Sequence, residues 1–339
     1  MLNPDALDRH SILHHARSLV ARYVDSLGAP EARELEGCSF DLMRRGSKRR
    51  SHIVRVRSAE RSLILKIRRD PTDDAAREAW ALTMIEAGRA GGFDRLSPRL
   101  LAHFPGRKNV HEPLGGSILM EEIQGAAPER GPERLRALAA ALANLHQVTP
   151  TRGPELFCPS TPGTLLIYAK DLLSRIAKQK LLEASDFERA RRALLLAASA
   201  RRVRAKTVRA LCHGDPHWQN TRLVAETEAG RSGRIHANDV PGPSAMGLGF
   251  IDFELSGIGD PAVDLCLMVA RAPLSGTDAS SLLESYLAIR NDPTLVDRYS
   301  ALLPGVRLVS ALSAVVASHG RLTARHQREL ARAVRIPPR

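Results

Sequence analysis

The spacing of apolar positions divides the chain into a strand-rich first part and a helical second part. Over residues 5–27 apolar side chains recur at helical spacing, and Gly28 with Pro30 ends that run. Between Ile53 and Ile67, two short apolar runs flank a polar turn. That pattern predicts a β-hairpin behind a leading helix.

A further helix and two further strands are predicted before residue 124. Asp73 or Asp74 can cap a helix that runs up to Gly88, where a glycine favours its end. Residues 100–104 and 117–123 are apolar enough for two more strands. The first 123 residues are therefore expected to form a β-sheet with one internal helix.

After residue 125 the apolar spacing becomes mostly helical. The predicted helices cover residues 132–146, 163–182, 186–205 and most of the chain after Asp260. A strand–loop–strand region spans 209–253, and its centre, 226–247, is rich in Gly, Ser, Pro and Asn, which is typical of a loop. Strands followed by helices predict an α+β chain of two lobes, 1–123 and 124–339.

Composition fits a globular chain and adds little about partners. The chain has 339 residues, of which 43% are hydrophobic, and its net charge is +13. Only seven of the 50 basic residues are lysine, so the charge reflects a bias towards arginine. The basic clusters 189–209 and 321–339 contain no aromatic residues, although nucleic-acid sites usually interleave the two. No specific nucleic-acid partner is predicted.

The cysteines and the apolar stretches indicate a cytoplasmic protein without membrane insertion. The four cysteines are far apart and form no CxxC pair, which disfavours a zinc knuckle or a disulfide framework. Cys212 and Cys266 lie in apolar contexts, as buried thiols do. The start of the chain lacks a signal-type apolar core, and the longest apolar stretches are too short or too polar for a bilayer.

Candidate chemistry is concentrated between Leu211 and Leu265. Asp215 and Asn220 lie on a turn-rich loop after one apolar strand, and Asp252 follows a second apolar strand. If residues 210–212 pair with 248–251, these three side chains converge. Carboxylate and amide oxygens suit Mg²⁺, and a second carboxylate can accept a proton from a hydroxyl. Together they suffice to transfer a phosphoryl group from a magnesium nucleotide to an alcohol.

These motifs resemble the aminoglycoside phosphotransferase and choline kinase superfamily, which has a protein-kinase-like fold. Its His-x-Asp-x-x-x-x-Asn pattern is matched by His213, Asp215 and Asn220. Its Ile-Asp-Phe-Glu motif is matched at Asp252, and its Gly-Asp-Pro-x-x-Asp-Leu segment at residues 259–265. Three motifs in the same order over 55 residues make the resemblance specific. It implies a small-molecule kinase with nucleotide between two lobes.

The resemblance also implies roles for individual residues of the second lobe. Asp215 would be the catalytic base that orients the acceptor hydroxyl, and His213 would brace the catalytic loop. Asn220 and Asp252 would hold Mg²⁺, with ATP as phosphate donor; GTP as the donor stays open. Asp264 would pin the loop from the following helix.

In the first lobe the family fold requires a lysine for the nucleotide phosphates, and Lys66 in a predicted strand fits that position. Glu78 lies on the inner face of the following helix and can pair with Lys66, with Glu86 as the alternative partner. Exposed edge lysines occur in strands too, so this assignment rests on chain position.

Two further stretches could contact the nucleotide. Gly46 and Ser47 lie in a basic turn whose backbone could cradle phosphates, although a solvated turn explains the same residues. Glu121 and Ile123 lie in the connection between the lobes, where adenine would meet backbone groups. A P-loop kinase is disfavoured because GxxxxGK[ST] does not occur.

Three alternatives stay open at this stage. His213 and His217 could bind zinc with Asp215, although Pro216 disfavours the helix that would place them on one face. The chain could be a catalytically inactive kinase-like protein that binds nucleotide or a partner. It could also bind nucleic acid through its arginines, with strong salt dependence.

The acceptor is expected not to be a polycation, because the chain carries basic clusters where aminoglycoside kinases need acidic pockets. Aromatic residues make up only 4%, which disfavours stacked recognition of choline-type cations. Sugars, amino alcohols and anionic metabolites remain candidates. A local acidic pocket would change this expectation, and four late carboxylates are available for one: Asp278, Glu284, Asp292 and Asp297.

Overall fold

The chain is divided between two units and passes from one to the other more than once. A computed structural model describes residues 8–28, 32–44, 51–68, 74–88, 97–106, 116–123, 125–129, 131–158, 161–199, 208–225, 246–272, 274–320, 327–328 and 330–331. The first unit combines residues 1–126 with 222–254, and the second combines 127–221 with 255–339. The sequence predicted a single division after residue 123, so it placed residues 222–254, including Asp252, in the other lobe.

The first unit is built on a sheet and two helices. Its elements are α1 Arg9–Val24, β1 Ser39–Arg44, β2 Ser51–Arg57, β3 Ser62–Arg68, α2 Asp74–Gly88, β4 Leu100–Phe104, β5 Ser117–Glu121, β7 Thr221–Ala225 and β8 Met246–Phe250. Five strands form an antiparallel sheet in the order β1-β2-β3-β5-β4. The hairpin, α2, β4 and β5 lie where the sequence predicted them.

Alternation of side chains along the strands forms the core of this unit. Val54 and Val56 on β2 and Leu65 on β3 are fully buried, because their period of two directs them to the same face of the sheet. Ile12 and Ala16 of α1 pack on that core. α1 is shorter than the predicted helix over 5–27, of which residues 5–7 lie outside the described residues.

The second unit consists mainly of helices. Its elements are α3 Pro132–Leu145, α4 Pro162–Gln179, α5 Ala184–Ser199, β6 Ala210–Cys212, a 3₁₀ turn Trp218–Asn220, β9 Gly257–Gly259, α6 Pro261–Arg271, α7 Gly276–Ile289 and α8 Leu295–Ala317. Helices α4 and α6 pack against α8, and α3 packs against α7. Cys212 and Cys266 are free and buried, which confirms that part of the prediction.

Among the described residues, one helix, α8, is long and apolar enough to cross a membrane by length and composition alone. It is also a packed helix of the second unit. Arg298 near its start is only 4% exposed and binds Asp260 at 2.8 Å and Asp292 at 2.7 Å. A buried arginine paired with two carboxylates is typical of a protein core.

The expected pairing of the two strands that precede the site is wrong. β6 pairs antiparallel with β9, with Leu211 opposite Ile258, whereas β8 pairs with β7. The physical reason is local: β7 directly follows the 3₁₀ turn Trp218–Asn220 and β8 is the next strand along the chain, so the two form a separate ribbon in the first unit. Most of the loop predicted over 226–247 lies outside the described residues.

Candidate active site

Lys66 is the centre of a charged cluster inside the first unit. Its side chain is almost completely buried in β3, and Nζ donates to Oε2 of Glu78 on α2 at 2.8 Å. Nζ also contacts Oδ1 of Asp252, after β8, and lies 3.5 Å from Oε2 of Glu254. The ion pair predicted between Lys66 and Glu78 is therefore present, while Glu86 lies near Arg99 at 4.0 Å.

The environment of Lys66 favours its charged form. Burial alone would lower the pKa of this ammonium group, but the carboxylates of Glu78 and Asp252 outweigh burial and hold its pKa above its usual range. Lys66 is thus a fixed positive charge at neutral pH. A fixed, buried ammonium beside two carboxylates is suited to binding phosphate oxygens or to holding a metal-binding carboxylate.

Arg68 is a second buried cation that the sequence analysis missed. It lies two residues after Lys66 and therefore on the same face of β3. Nη2 donates to Oε2 of Glu78 at 2.9 Å, and Nη1 contacts Glu254 and donates to Oγ of Ser51 at 2.9 Å. The sequence feature that could have revealed Arg68 is a second charged residue, two positions after Lys66, in the same apolar strand.

Asp252 has an unusual backbone conformation. Its φ of +70° lies in the left-handed region, which aspartate tolerates better than most residues but which still costs energy. The next N–H, of Phe253, donates to Oε1 of Glu78 at 3.2 Å, so Glu78 also holds this segment. The carboxylate of Asp252 remains 38% exposed.

The other predicted nucleotide contacts are only partly described. Gly46 and Ser47 lie outside the described residues. Glu121 is the last residue of β5, and its N–H donates to the carbonyl of Arg99 at 3.0 Å, so this N–H is engaged within the first unit. Its side chain binds Arg61 at 2.7 Å. Ile123 follows two residues later, half-buried.

The loop after β6 carries the candidate catalytic residues of the second unit. Gly214 has a φ of +82°, and a Cβ on it would lie 2.3 Å from the carbonyl oxygen of Leu255. A glycine is therefore required there, between His213 and Asp215. His213 is fully buried, and its Nδ1 accepts the N–H of Asp215 at 3.2 Å. This bond agrees with a bracing role for His213.

Asp264, in the first turn of α6, holds the same loop. Its Oδ2 accepts the N–H of His213 at 2.6 Å, and its Oδ1 accepts that of Gly214 at 2.9 Å. The ring of His146 lies 3.1 Å from Oδ2 and, through its other nitrogen, 2.9 Å from the hydroxyl of Tyr286. The contacts predicted for Asp264 are present, whereas no sequence motif indicated the contribution of His146 and Tyr286.

Asp215 is paired with a cation that the sequence analysis did not associate with it. Nη1 of Arg271, the last residue of α6, donates to Oδ1 of Asp215, and Nε2 of His217 lies 3.5 Å from Oδ2. Burial would raise the pKa of Asp215, but the hydrogen bond from His217 and the charge of Arg271 hold it well below its usual range. Asp215 is ionised at neutral pH.

Asn220 and Asp252 supply the oxygen types that magnesium prefers. Nδ2 of Asn220 donates to the backbone carbonyl of Asp215 at 3.1 Å, which leaves the amide oxygen as the ligand atom. Asp252 offers a partly exposed carboxylate. Each residue by itself therefore offers an oxygen atom that suits the metal. Because Asn220 and Asp252 belong to different units, the binding of one ion by both stays a prediction.

The zinc alternative has little support. The Nδ1 atoms of His213 and His217 both accept backbone N–H groups of the loop itself, at 3.2 Å each. Across the described ranges, the three-residue group whose donor atoms lie close enough for a metal is His146, Cys212 and Asp264. In that buried group, Asp264 already accepts the loop N–H groups and His146 binds Tyr286.

The fold is shared with solved kinases. An ethanolamine kinase of Plasmodium vivax is 14% identical, with a TM-score of 0.64 over 97% of this chain and 90% of that chain. An aminoglycoside phosphotransferase of Alicyclobacillus acidocaldarius is 15% identical, with a TM-score of 0.54 over 84% of this chain and 86% of that chain. At such identities the likeness concerns the fold, and it confirms the predicted kinase-like α+β class.

Sequence comparison then assigns the family. The model of the phosphotransferase enzyme family matches residues 41–231, more than half of the chain, and the chain belongs to that family. An uncharacterized protein of Deinococcus radiodurans is 26% identical over 279 residues, which cover 78% of this chain and 72% of the relative. The protein is an ATP-dependent phosphotransferase that acts on hydroxyl groups, as predicted, and the family implies use of a divalent metal.

Proposed function

We propose that the protein is a cytoplasmic small-molecule kinase in which Asp215 is the catalytic base and Mg·ATP is the phosphate donor. The observation that supports this proposal is the geometry of the loop around Asp215. Asp264 accepts the N–H groups of His213 and Gly214. Gly214 adopts a backbone conformation that is unfavourable for other residues, and Nδ1 of His213 accepts the N–H of Asp215. Such a loop holds one carboxylate in a fixed orientation, which positioning-based catalysis requires.

In the proposed reaction, Asp215 accepts a hydrogen bond from the acceptor hydroxyl and orients its oxygen towards the γ-phosphorus of ATP. The new bond joins that oxygen to phosphorus, the bond from phosphorus to the β,γ-bridging oxygen breaks, and ADP leaves. The hydroxyl proton passes to the carboxylate of Asp215 and then to solvent. Most of the rate enhancement comes from positioning and charge neutralisation.

Lys66 and Asp252 are the proposed contacts with the donor. Lys66 would bind nucleotide phosphate oxygens, with Glu78 fixing its position from α2. Asp252 and Asn220 would hold Mg²⁺, which supplies charge neutralisation when bound. The left-handed conformation of Asp252 supports a functional role, because the bonds of the neighbouring Phe253 N–H and of Lys66 maintain a costly backbone state.

The test is transfer of labelled γ-phosphate from Mg·ATP into small molecules of a soluble cell extract. Wild-type protein is compared with Asp215→Asn, which keeps the size of the side chain and removes its basicity. We expect Asp215→Asn to lower transfer by about 10²- to 10⁴-fold, the usual contribution of a positioned acid or base. Its affinity for Mg·ATP, measured by calorimetry, should stay within about threefold of wild type.

The matched control is Asp278→Asn, which changes the same functional group at a half-buried position. Asp278 lies in the first turn of α7, where its carboxylate accepts the N–H of Ser275 at 3.0 Å. We expect wild-type transfer from this variant. Asp215→Asn protein that folds, binds Mg·ATP and transfers phosphate at the wild-type rate would contradict the assignment of the base.

A further inference from the structure

Arg271 is placed where it can contact an acceptor. It lies at the C-terminal end of α6, where the helix dipole favours a cation, and its guanidinium meets the carboxylate of Asp215. Neither side chain is sealed in the core of the second unit, since Arg271 is 28% and Asp215 20% exposed. A molecule that reaches Asp215 therefore meets a positive charge next to it.

This cation has a chemical cost for a catalytic base. A neighbouring guanidinium stabilises the carboxylate and weakens it as a proton acceptor, and it also cancels the attraction of Asp215 for cationic acceptors. A purely structural anchor for Asp215 would not need a full charge, because the loop is already held by Asp264 and His213. An anionic group on the acceptor would explain why a cation lies beside Asp215.

Two of the four late carboxylates that the sequence offered for an acidic pocket are engaged in other contacts of the second unit. Asp292 binds Arg298 through both oxygens, at 3.2 and 2.7 Å, and Asp264 holds the catalytic loop. Asp278 caps α7 by accepting the N–H of Ser275. Of the four late carboxylates that the sequence offered for an acidic pocket, these contacts occupy Asp292 and Asp278.

We propose that Arg271 binds an oxyanion group of the acceptor, so that the substrate is a small hydroxyl compound bearing a carboxylate or a similar anion. This inference rests on the proposed function and specifies its substrate class. The planar guanidinium can bind two oxygen groups side by side, so it can hold the acceptor anion while it contacts Asp215. The acceptor hydroxyl is thereby directed to the base, and amines such as ethanolamine are disfavoured.

The first experiment separates acceptors by charge. A soluble metabolite extract is freed of nucleotides on charcoal and passed over an anion exchanger at neutral pH, giving a retained anionic pool and an unretained neutral and cationic pool. Each pool receives γ-labelled Mg·ATP and wild-type protein, and products are identified by mass. We expect label in compounds of the retained pool. Label confined to the unretained pool would overturn the inference and leave the proposed function standing.

No transfer into either pool by folded wild-type protein would contradict the proposed function, and this inference would fall with it. Transfer into the retained pool leads to kinetics with the labelled acceptor and with its uncharged amide. Arg271→Gln is expected to raise KM for the anionic acceptor by roughly 10- to 100-fold, the usual value of a charged hydrogen bond. The KM for the uncharged amide should stay within about threefold, because the amide lacks the anion that Arg271 binds.

Two variants complete the design. Arg271→Lys keeps the charge without the planar fork and should recover part of the lost affinity for the anionic acceptor. Arg191→Gln removes an arginine of α5 that binds Glu188 at 3.0 Å on an exposed surface, and it should behave as wild type. An Arg271→Gln variant that leaves KM for the anionic acceptor unchanged, or raises KM equally for both acceptors, would overturn the inference, because Arg271 would then not recognise the anion.

Discussion

Lys66 and Arg68 share one carboxylate oxygen: Oε2 of Glu78 accepts from Nζ of Lys66 at 2.8 Å and from Nη2 of Arg68 at 2.9 Å. All three side chains are at most 7% exposed. The other oxygen of Glu78 accepts the N–H of Phe253. Glu78 therefore pairs with two buried cations and also holds the segment that carries Asp252.

Replacing Glu78 by glutamine should destabilise the first unit. The change leaves Lys66 and Arg68 buried with one carboxylate fewer, and removing one partner of a buried ion pair costs about 3–5 kcal/mol. We expect that loss in the free energy of unfolding measured with urea. Glu86→Gln is the control, since the side chain of Glu86 is 43% exposed and its ion pair with Arg99 is long, at 4.0 Å. Equal effects of the two changes would contradict the central position of Glu78.

Gly214→Ala should impair both stability and turnover. The new Cβ would meet the carbonyl oxygen of Leu255 at 2.3 Å, and the φ of +82° is itself unfavourable for alanine. We expect a loss of about 1–3 kcal/mol in the free energy of unfolding and a lower kcat. Gly276→Ala provides the comparison, because a Cβ there meets nothing within 4 Å. If both variants behave alike, the loop does not require glycine at position 214.

Asp252→Asn should change the dependence of transfer on magnesium. Losing a charged ligand weakens a Mg²⁺ site, so the Mg²⁺ concentration for half-maximal activity should rise and maximal transfer should fall by about 10²-fold or more. The measurement is a Mg²⁺ titration at fixed ATP. Asp297→Asn, an exposed position on α8, should leave the titration unchanged. A wild-type titration curve for Asp252→Asn would refute the metal assignment.

The lowered pKa of Asp215 predicts the sign of one pH effect. Its pKa in the folded state lies below the value of about 3.9 for an unfolded chain, so this carboxylate stabilises the fold at neutral pH. That contribution begins to decline near pH 5 and is lost progressively as pH falls through the folded-state pKa. Unfolding free energies of wild type and Asp215→Asn should therefore differ more at pH 7 than at about pH 3. An equal or larger difference at the lower pH would contradict the lowered pKa of Asp215.

Elements governed by local patterning were predicted well. The strand at 100–104 was predicted with its observed bounds, and the helix ending at Gly88 and the hairpin around residues 58–61 match closely. These elements follow from side-chain period, from caps and from turn residues, which lie within a few positions of one another. β1 was not predicted, because Ser39–Arg44 mixes exposed and half-buried positions without a clear period.

Contacts between residues far apart in the chain were predicted only where a motif indicated them. Asp264 and the loop at His213 belong to motifs, so their contact was expected and is present. The pairing of β6 was wrong, because three-residue strands carry no register signal and β9 offered an equally short partner. Arg271 lies 56 residues from Asp215, and nothing local relates them.

The family, the enzyme class and the identity of the candidate catalytic residues are readable from the order of residues along the chain, because phosphoryl transfer demands particular functional groups at fixed local spacing. The full set of charged contacts around those groups is not readable in that way. Strand pleating places Arg68 beside Lys66 locally, but the carboxylate that the two cations share, Glu78, comes from α2. Arg271 meets Asp215 only because the fold brings the end of α6 to a loop that lies 56 residues away, and local patterning does not encode such contacts between distant segments.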